Sequence, residues 1–360
     1  MCVSAACQHA DWPKHKEECL GLAMAYSKRG EDLGHDLYNS GDTDRARKTV
    51  SRVVEVLRRH LHDDPSTPER LANALQLLGG IHMHLSEVQI TLAAAQHHHA
   101  HGRVLLQEAL AIKRNIYGSN NSTAMTMVCL ARVCQRQSDH DCASNLAGEA
   151  LAMIRTGMRC DTAGGASVVG EVDVRLEYEC LELLAGLHVT QGRLNQARSE
   201  YAQLVAYVDR RLGPLCLEYA SALMYSADVE LMLFRGGLAQ GLEGQRLLEE
   251  RASLAALFTS GVQAMRGAVR DPRAGVPNLM HFSRASRRAA WALGELQHFD
   301  EARALLKETI IAQRRLLGDG HDDVTATIQE LRDLQASQRQ VVGGRGGAQS
   351  VRGTPAPGQK

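Results

Sequence analysis

The chain has 360 residues, with Lys+Arg 41 against Asp+Glu 41, so its formal net charge is zero. A protein that grips nucleic acid through the phosphate backbone needs a positive surplus, and none exists here. Hydrophobic residues are 44% of the chain but aromatics only 4%, so Ala and Leu must carry the core, which favours helices over strands. No stretch approaches ~18 consecutive apolar residues, and no charged-then-apolar leader opens the sequence. The expected class is all-α, without a transmembrane helix, in the cytoplasm or nucleus.

The nine cysteines are too few for a disulfide scaffold and odd in number. Cys2, Cys7 and Cys19 crowd the N-terminus beside His15. Zinc takes thiolate and imidazole ligands tetrahedrally, and the spacing of His15 and Cys19 lets both reach one ion from a short helix. Cys7-Gln8, Asp11-Trp12, His15-Lys16 and Cys19 together resemble the second half of a MYND zinc finger. That resemblance makes residues 1–22 a truncated finger binding Zn2+ through Cys2, Cys7, His15 and Cys19. It also implies that Gln8 and Trp12 line a groove for short proline-containing peptides; the bland alternative is that Trp12 packs over the zinc-binding helix. A full finger has interleaved ligands for two ions, so Cys2 and Cys7 would serve one site and His15 and Cys19 the other. The remaining ligands are then expected upstream of Met1; without them, the four residues form a single Cys3His site. Strict alignment with the family places Val3 rather than Cys2 in the ligand column.

Next comes an internal repeat, with small residues twelve positions apart flanking a turn: Gly34/Ala46, Ala131/Ala143, Ala185/Ala197, Ala227/Ala239 and Ala290/Ala302. A sixth copy keeps Gly102 at the second position, with an insertion displacing the first. The second-position anchors fit a base period near 42 residues with insertions. Small residues let two helices cross closely, and the following apolar residues recur three and four apart, as in Ala302, Leu305, Leu306 and Ile310. Gly118, Gly213 and Gly318 end three copies, where glycine can take the left-handed conformation that closes a helix. Leu183-Leu184-Ala185-Gly186-Leu187, Gln191-Gly192-Arg193 and Gln196-Ala197 resemble tetratricopeptide repeats of the 42-residue kinesin-light-chain type. The resemblance implies an α-solenoid of about six repeats over 28–340, with a groove for extended or helical peptides. The asparagines that kinesin light chains carry before the first anchor are replaced here by Val128 and Cys129, Glu182 and Leu183, and Arg287 and Arg288.

Insertions at 86–101, 156–172 and 268–281 read as loops, and 341–360 as a disordered Gly/Pro/Ser tail. Cys129, Cys134, Cys142, Cys160, Cys180 and Cys216 read as buried free thiols. His97, His98, His99 and His101 have metal-ligand chemistry but read as a solvated low-complexity loop; His82 and His84 are expected on opposite helix sides. Arg284, Arg287 and Arg288 form a basic patch able to meet acidic peptides, or else a solvated face. No dinucleotide, Walker or nucleophile-elbow motif is present. The expected function is a non-enzymatic, zinc-binding adaptor or scaffold for partner proteins. The alternative is a fragment of a MYND-containing lysine methyltransferase or related chromatin regulator.

Overall fold

The computed structural model describes residues 12–88, 92–162, 171–239, 241, 243–269 and 276–349. Among these residues there are thirteen helices and no strand. In chain order they are α1 (Trp12–Asn39), α2 (Thr43–Arg59), α3 (Thr67–Val88), α4 (Leu92–Tyr117), α5 (Asn121–Arg136), α6 (His140–Thr162) and α7 (Glu171–Thr190). There follow α8 (Leu194–Arg211), α9 (Leu217–Ala239), α10 (Gly244–Val269), α11 (Val276–Glu295), α12 (Phe299–Leu317) and α13 (Asp322–Gln349). The stretch expected as one array divides into two compact units, Met1–Gly192 and Arg193–Lys360. In the first, α1 packs on α2, α3 on α4 and α5 on α6; in the second, α9 packs on α10 and α11 on α12.

One backbone device builds most of these helix pairs. Gly41, Ser138, Gly192 and Gln297 all have positive φ, and each lies five residues before a small anchor: Ala46, Ala143, Ala197 and Ala302. In the second of these turns, the Ser138 N–H donates to the Gln135 carbonyl at 3.0 Å and the Asp139 N–H to the Cys134 carbonyl at 2.9 Å. Gln297 and His298 repeat this with Gly294 and Leu293, at 3.0 and 2.8 Å. These paired bonds satisfy carbonyls that the helix end leaves open. Side chains cap some of the helices that follow: Asp42 accepts from the Arg45 N–H on α2, and Asn120 from the Thr123 N–H on α5. Gly118, Gly213 and Gly318 also have positive φ, as their role as helix stops requires.

The anchors are buried as small-residue positions should be, with one correction. Ala46, Ala131, Ala143, Ala185, Ala197, Ala227, Ala290 and Ala302 are all fully buried. Ala239, however, is exposed at the end of α9. The turn of that copy lies at Gly241, so the buried Phe234 holds the first-anchor position and Ala227 lies seven residues earlier. Seven residues are close to two helical turns, so both positions fall on the same face of α9. The displaced first anchor of the sixth copy is Gly79: a Cβ on Gly102 would meet the Gly79 carbonyl oxygen at 3.3 Å.

The two cores differ in chemistry. Leu57, Leu71, Leu75, Ile81 and Leu106 are among the largest fully buried side chains of the first unit. The second unit instead buries Phe234, Phe258 and Phe282 in one cluster with Ala289, Leu293 and Leu306, three of the four phenylalanines in the chain.

Several segment boundaries differ from expectation. Of 86–101, residues 86–88 end α3 and 92–101 begin α4, because Leu92-Ala93-Ala94-Ala95-Gln96 is strong helix-forming text. α6 continues to Thr162 and α7 starts at Glu171, while α10 reaches Val269 and α11 begins at Val276; Pro277 sits in that first turn, where no N–H is needed. Residues 163–170 and 270–275 lie outside the described residues. No break separates residues 12–22 from the repeats, since α1 runs unbroken from Trp12 to Asn39. α13 continues through 341–349 despite its glycines, as extension of a formed helix costs less than nucleation; 350–360 lie outside the described residues.

Arginine–carboxylate pairs join alternate helices within each unit. Arg70 on α3 reaches Glu31 on α1 at 2.9 Å, Arg58 on α2 reaches Glu108 on α4 at 2.5 Å, and Arg114 on α4 reaches Glu149 on α6 at 2.8 Å. Arg132 on α5 pairs with Glu182 on α7 at 3.1 Å. In the second unit, Arg266 on α10 binds Glu308 on α12, and Arg287 on α11 binds Glu330 on α13. Half-exposed pairs of this kind contribute about 0–1 kcal/mol each.

Candidate functional site

Cys2, Cys7 and Gln8, expected as zinc ligands and peptide contact, lie outside the described residues. The backbones of Trp12, His15 and Cys19 fall in the first two turns of α1; their side chains also lie outside the described residues.

A groove of about 840 Å³ lies in the second unit, bounded by α11, α12 and α13. Its floor follows from helical spacing: Arg284, Arg287, Arg288, Trp291 and Glu295 recur three and four apart and so share one stripe of α11. Trp291 is 53% exposed. The Arg235 guanidinium, reaching across from α9, lies 4.6 Å from the Trp291 ring centroid and also bonds Glu295 at 3.1 Å. A cation over an indole face is attracted by the ring quadrupole, contributing about 0.5–1 kcal/mol at exposed sites. The contact holds the ring in place beside the cavity.

The three arginines of the basic patch have different tasks. Arg287 donates from Nε to both carboxylate oxygens of Glu330, at 3.0 and 3.1 Å. Arg288 lies 2.6 Å from buried Asp228 on α9 and 5.7 Å from the Tyr225 ring centroid. Burial pushes the Asp228 carboxyl up to about 6, although the Arg288 charge pulls the other way. Arg284 is exposed and makes no ion pair among the described residues, so its charge remains open to a ligand. The arrangement offers an aromatic platform, an uncommitted cation and walls of Leu306 and Leu334. Trp291 is not among the sequence-derived candidates, although Arg284-x-x-Arg287-Arg288-x-x-Trp291 already places it on the basic stripe.

A second cluster, in the first unit, brings together Cys134, Asp139 and Cys142, with their ligand atoms within 4.8 Å of one another. The sulfurs are 3.0 Å apart. Arg103 occupies the carboxylate, donating to Asp139 at 2.8 Å and approaching the Cys142 sulfur at 3.8 Å. Burial and the neighbouring thiol push Cys134 up to about 12. The raised Cys134 thiol and a committed carboxylate make this a packed polar contact beneath Arg103. Of the thiols expected to be buried, Cys134 and Cys180 are, whereas Cys129, Cys142 and Cys216 are only half-buried and Cys160 lies outside the described side chains.

Comparison with known proteins agrees with the helix-pair geometry. Residues 288–323, from α11 to the start of α13, match the tetratricopeptide repeat. That segment carries a tetratricopeptide repeat. The chain resembles BtubC (BKLC) from P. vanneervenii with a TM-score of 0.50 and 13% identity, covering 78% of this chain and 93% of that one. It also resembles Rap protein complexed with Competence and Sporulation Factor, with a TM-score of 0.51 and 10% identity, over 91% of this chain and 81% of that one. At such identities the likeness is one of fold. No curated protein sequence matches the chain. No helix among the described residues is long and apolar enough to cross a membrane.

Proposed function

We propose that this protein is a non-catalytic interaction scaffold that holds a partner peptide in the groove along α11. The observation that carries the reading is the pairing of exposed Trp291, fixed by Arg235, with the uncommitted Arg284 on the same stripe. Aromatic and arginine side chains in a concave site are the usual anchors of protein recognition. The chemistry fits a peptide with an aromatic or proline side chain for the indole and a carboxylate a few residues away for Arg284. The Rap relative, solved with another factor bound, supports such a role by analogy only.

The test is fluorescence anisotropy of the full chain against a peptide library varied in acidic and aromatic content. Trp291→Ala and Arg284→Glu should each weaken the selected peptides at least tenfold while leaving the thermal melt in place. Equal binding by both variants and the parent would overturn the reading.

We further infer that Cys2, Cys7, His15 and Cys19 hold zinc and that Gln8 and Trp12 contact a proline-containing peptide. The support is the ligand spacing and the register of Gln8 and Trp12 with the MYND pattern. Titrating the full chain with Co2+ should give a thiolate charge-transfer band that is lost on Cys7→Ser or Cys19→Ser. A band insensitive to both variants would remove this part of the proposal.

A further inference from the structure

The histidine run lies on a helix, and a histidine of the neighbouring helix meets it. On α4, His98 and His101 are three residues apart and His97 and His101 four apart, the spacings that put imidazoles on one helix face. From α3, His82 projects onto that face. Its Nδ1 is 3.0 Å from the Nδ1 of His98, and its ring centroid is 4.5 Å from that of His101 and 5.1 Å from that of His98. The ring of His97 stands 6.3 Å from that of His101. The Gly79–Gly102 crossing, one turn from His82 and next to His101, brings the helices close enough for this convergence.

The geometry points to a divalent transition-metal site formed by His82, His98 and His101, of the class that imidazole favours, Ni2+ or Cu2+ ahead of Zn2+. With metal–nitrogen bonds of about 2.1 Å, two ligands at a right angle stand about 3.0 Å apart, and tetrahedral ligands about 3.4 Å. A separation of 3.0 Å is compatible with ligands at a right angle in square-planar or octahedral coordination, the geometry of Cu2+ and Ni2+ with nitrogen ligands, and equally with an N–H···N hydrogen bond between the empty imidazoles. His98 and His101 sit at the rim, with His101 exposed; the three rings do not yet share one point, and the site forms when the His101 ring turns towards the other two. His82 is 4% exposed and supplies the inner ligand.

The surroundings suit a neutral imidazole ligand. Burial, and then the neighbouring histidines and Arg47, push His82 down to about 3, and His98 and His101 shift downward for related reasons. Arg47 on α2 faces the cluster and opposes a cation, but it pairs with Asp44 at 3.8 Å, whose charge also acts on His98.

The test must keep this site separate from the N-terminal cysteines. Isothermal titration with Ni2+ and Cu2+ would use the full chain carrying Cys2→Ser, Cys7→Ser, Cys19→Ser and His15→Gln. The expected result is about one equivalent of metal, weakened at least tenfold by His98→Gln or His101→Gln and unchanged by His62→Gln, a control elsewhere in the fold. Electron paramagnetic resonance of the Cu2+ form should show coupling to three nitrogens. His82→Gln is added with a thermal melt, because a buried change can disturb packing; the two rim variants stand without it. Metal binding that survives both rim variants, or no binding at all, overturns the proposal. In either case the Nδ1–Nδ1 contact is an N–H···N hydrogen bond between imidazoles.

Discussion

Gly79 and Gly102 face each other where α3 crosses α4, and a Cβ on Gly102 would stand 3.3 Å from the Gly79 carbonyl oxygen. The two glycines therefore set how closely this pair of helices packs. A Cβ on Gly79 would lie 2.7 Å from Cγ of the fully buried Leu106, a branch point with nowhere to retreat. Gly79→Ala should lose about 1–2 kcal/mol, the overpacking cost less the helix propensity that alanine returns. At Gly261 the clashing atom is the Met224 sulfur, at 2.7 Å, on a flexible side chain that can move aside. Gly261→Ala should thus be neutral or slightly stabilising. Urea melts of both variants check the contrast; equal losses would sink it.

Asp228 supplies a pH test. Its carboxyl stands at about 6 in the folded chain against an ordinary 3.8, so the folded state binds that proton more tightly than the unfolded one. The stability from this group is fully present below pH 3.8 and is lost as pH rises through about 6. Asp228→Asn should therefore be more stable than the parent at pH 7.5, on the order of 1–2 kcal/mol, with the difference shrinking towards about pH 4.5. Thermal melts at the two pH values decide it. A variant that is weaker at both shows the Arg288 ion pair outweighing burial.

Lys113 is 3% exposed on α4 and donates to the Gln76 side-chain oxygen at 2.6 Å. Burial pushes its ammonium below the ordinary lysine range. The Gln76 oxygen also accepts from the Thr126 hydroxyl at 2.7 Å, so removing the lysine does not orphan it. Lys113→Met should be neutral or up to about 2 kcal/mol more stable, since a buried charge is being replaced by a packed apolar chain. A loss above about 1 kcal/mol in chemical denaturation would contradict this.

Three of the thiols should be inert in the native state. Burial pushes Cys129 up to about 11 and Cys180 to about 12, and Cys134 stands at about 12. Alkylation requires the thiolate. Iodoacetamide at neutral pH, followed by site-resolved mass spectrometry, should leave these three unmodified in the folded chain and modify them in denaturant. Rapid native labelling of Cys134 would show that the Cys134–Cys142 contact opens.

The helix pairs were legible because each small anchor also marks a turn, and Ala131, Ala143, Ala290 and Ala302 are buried as the spacing requires. Ala239 misled because α9 is longer than the repeat pattern while Phe234 keeps Ala227's face; a spacing of twelve persists there without a crossing. Ser138 and Gln297 hold the left-handed turn position without being glycine, so turn chemistry alone does not reveal them. The groove was half visible, since α11's arginines stand out in the sequence, but Arg235 over Trp291 joins residues on different helices. The meeting of His82 with His98 likewise depends on the Gly79–Gly102 crossing, a contact between helices that periodicity along either one cannot encode.

The ion pairs between alternate helices constrain how this chain can change length. Inserting or deleting a whole helix pair leaves arginine-bearing and carboxylate-bearing faces opposite one another. A single helix inserted between α11 and α12, for example, would set α12 and α13 one place further on, so Arg266 and Arg287 would no longer face Glu308 and Glu330, whereas pairs lying wholly before or after it keep their spacing. Growth in units of two preserves the electrostatic register; growth by one scrambles it.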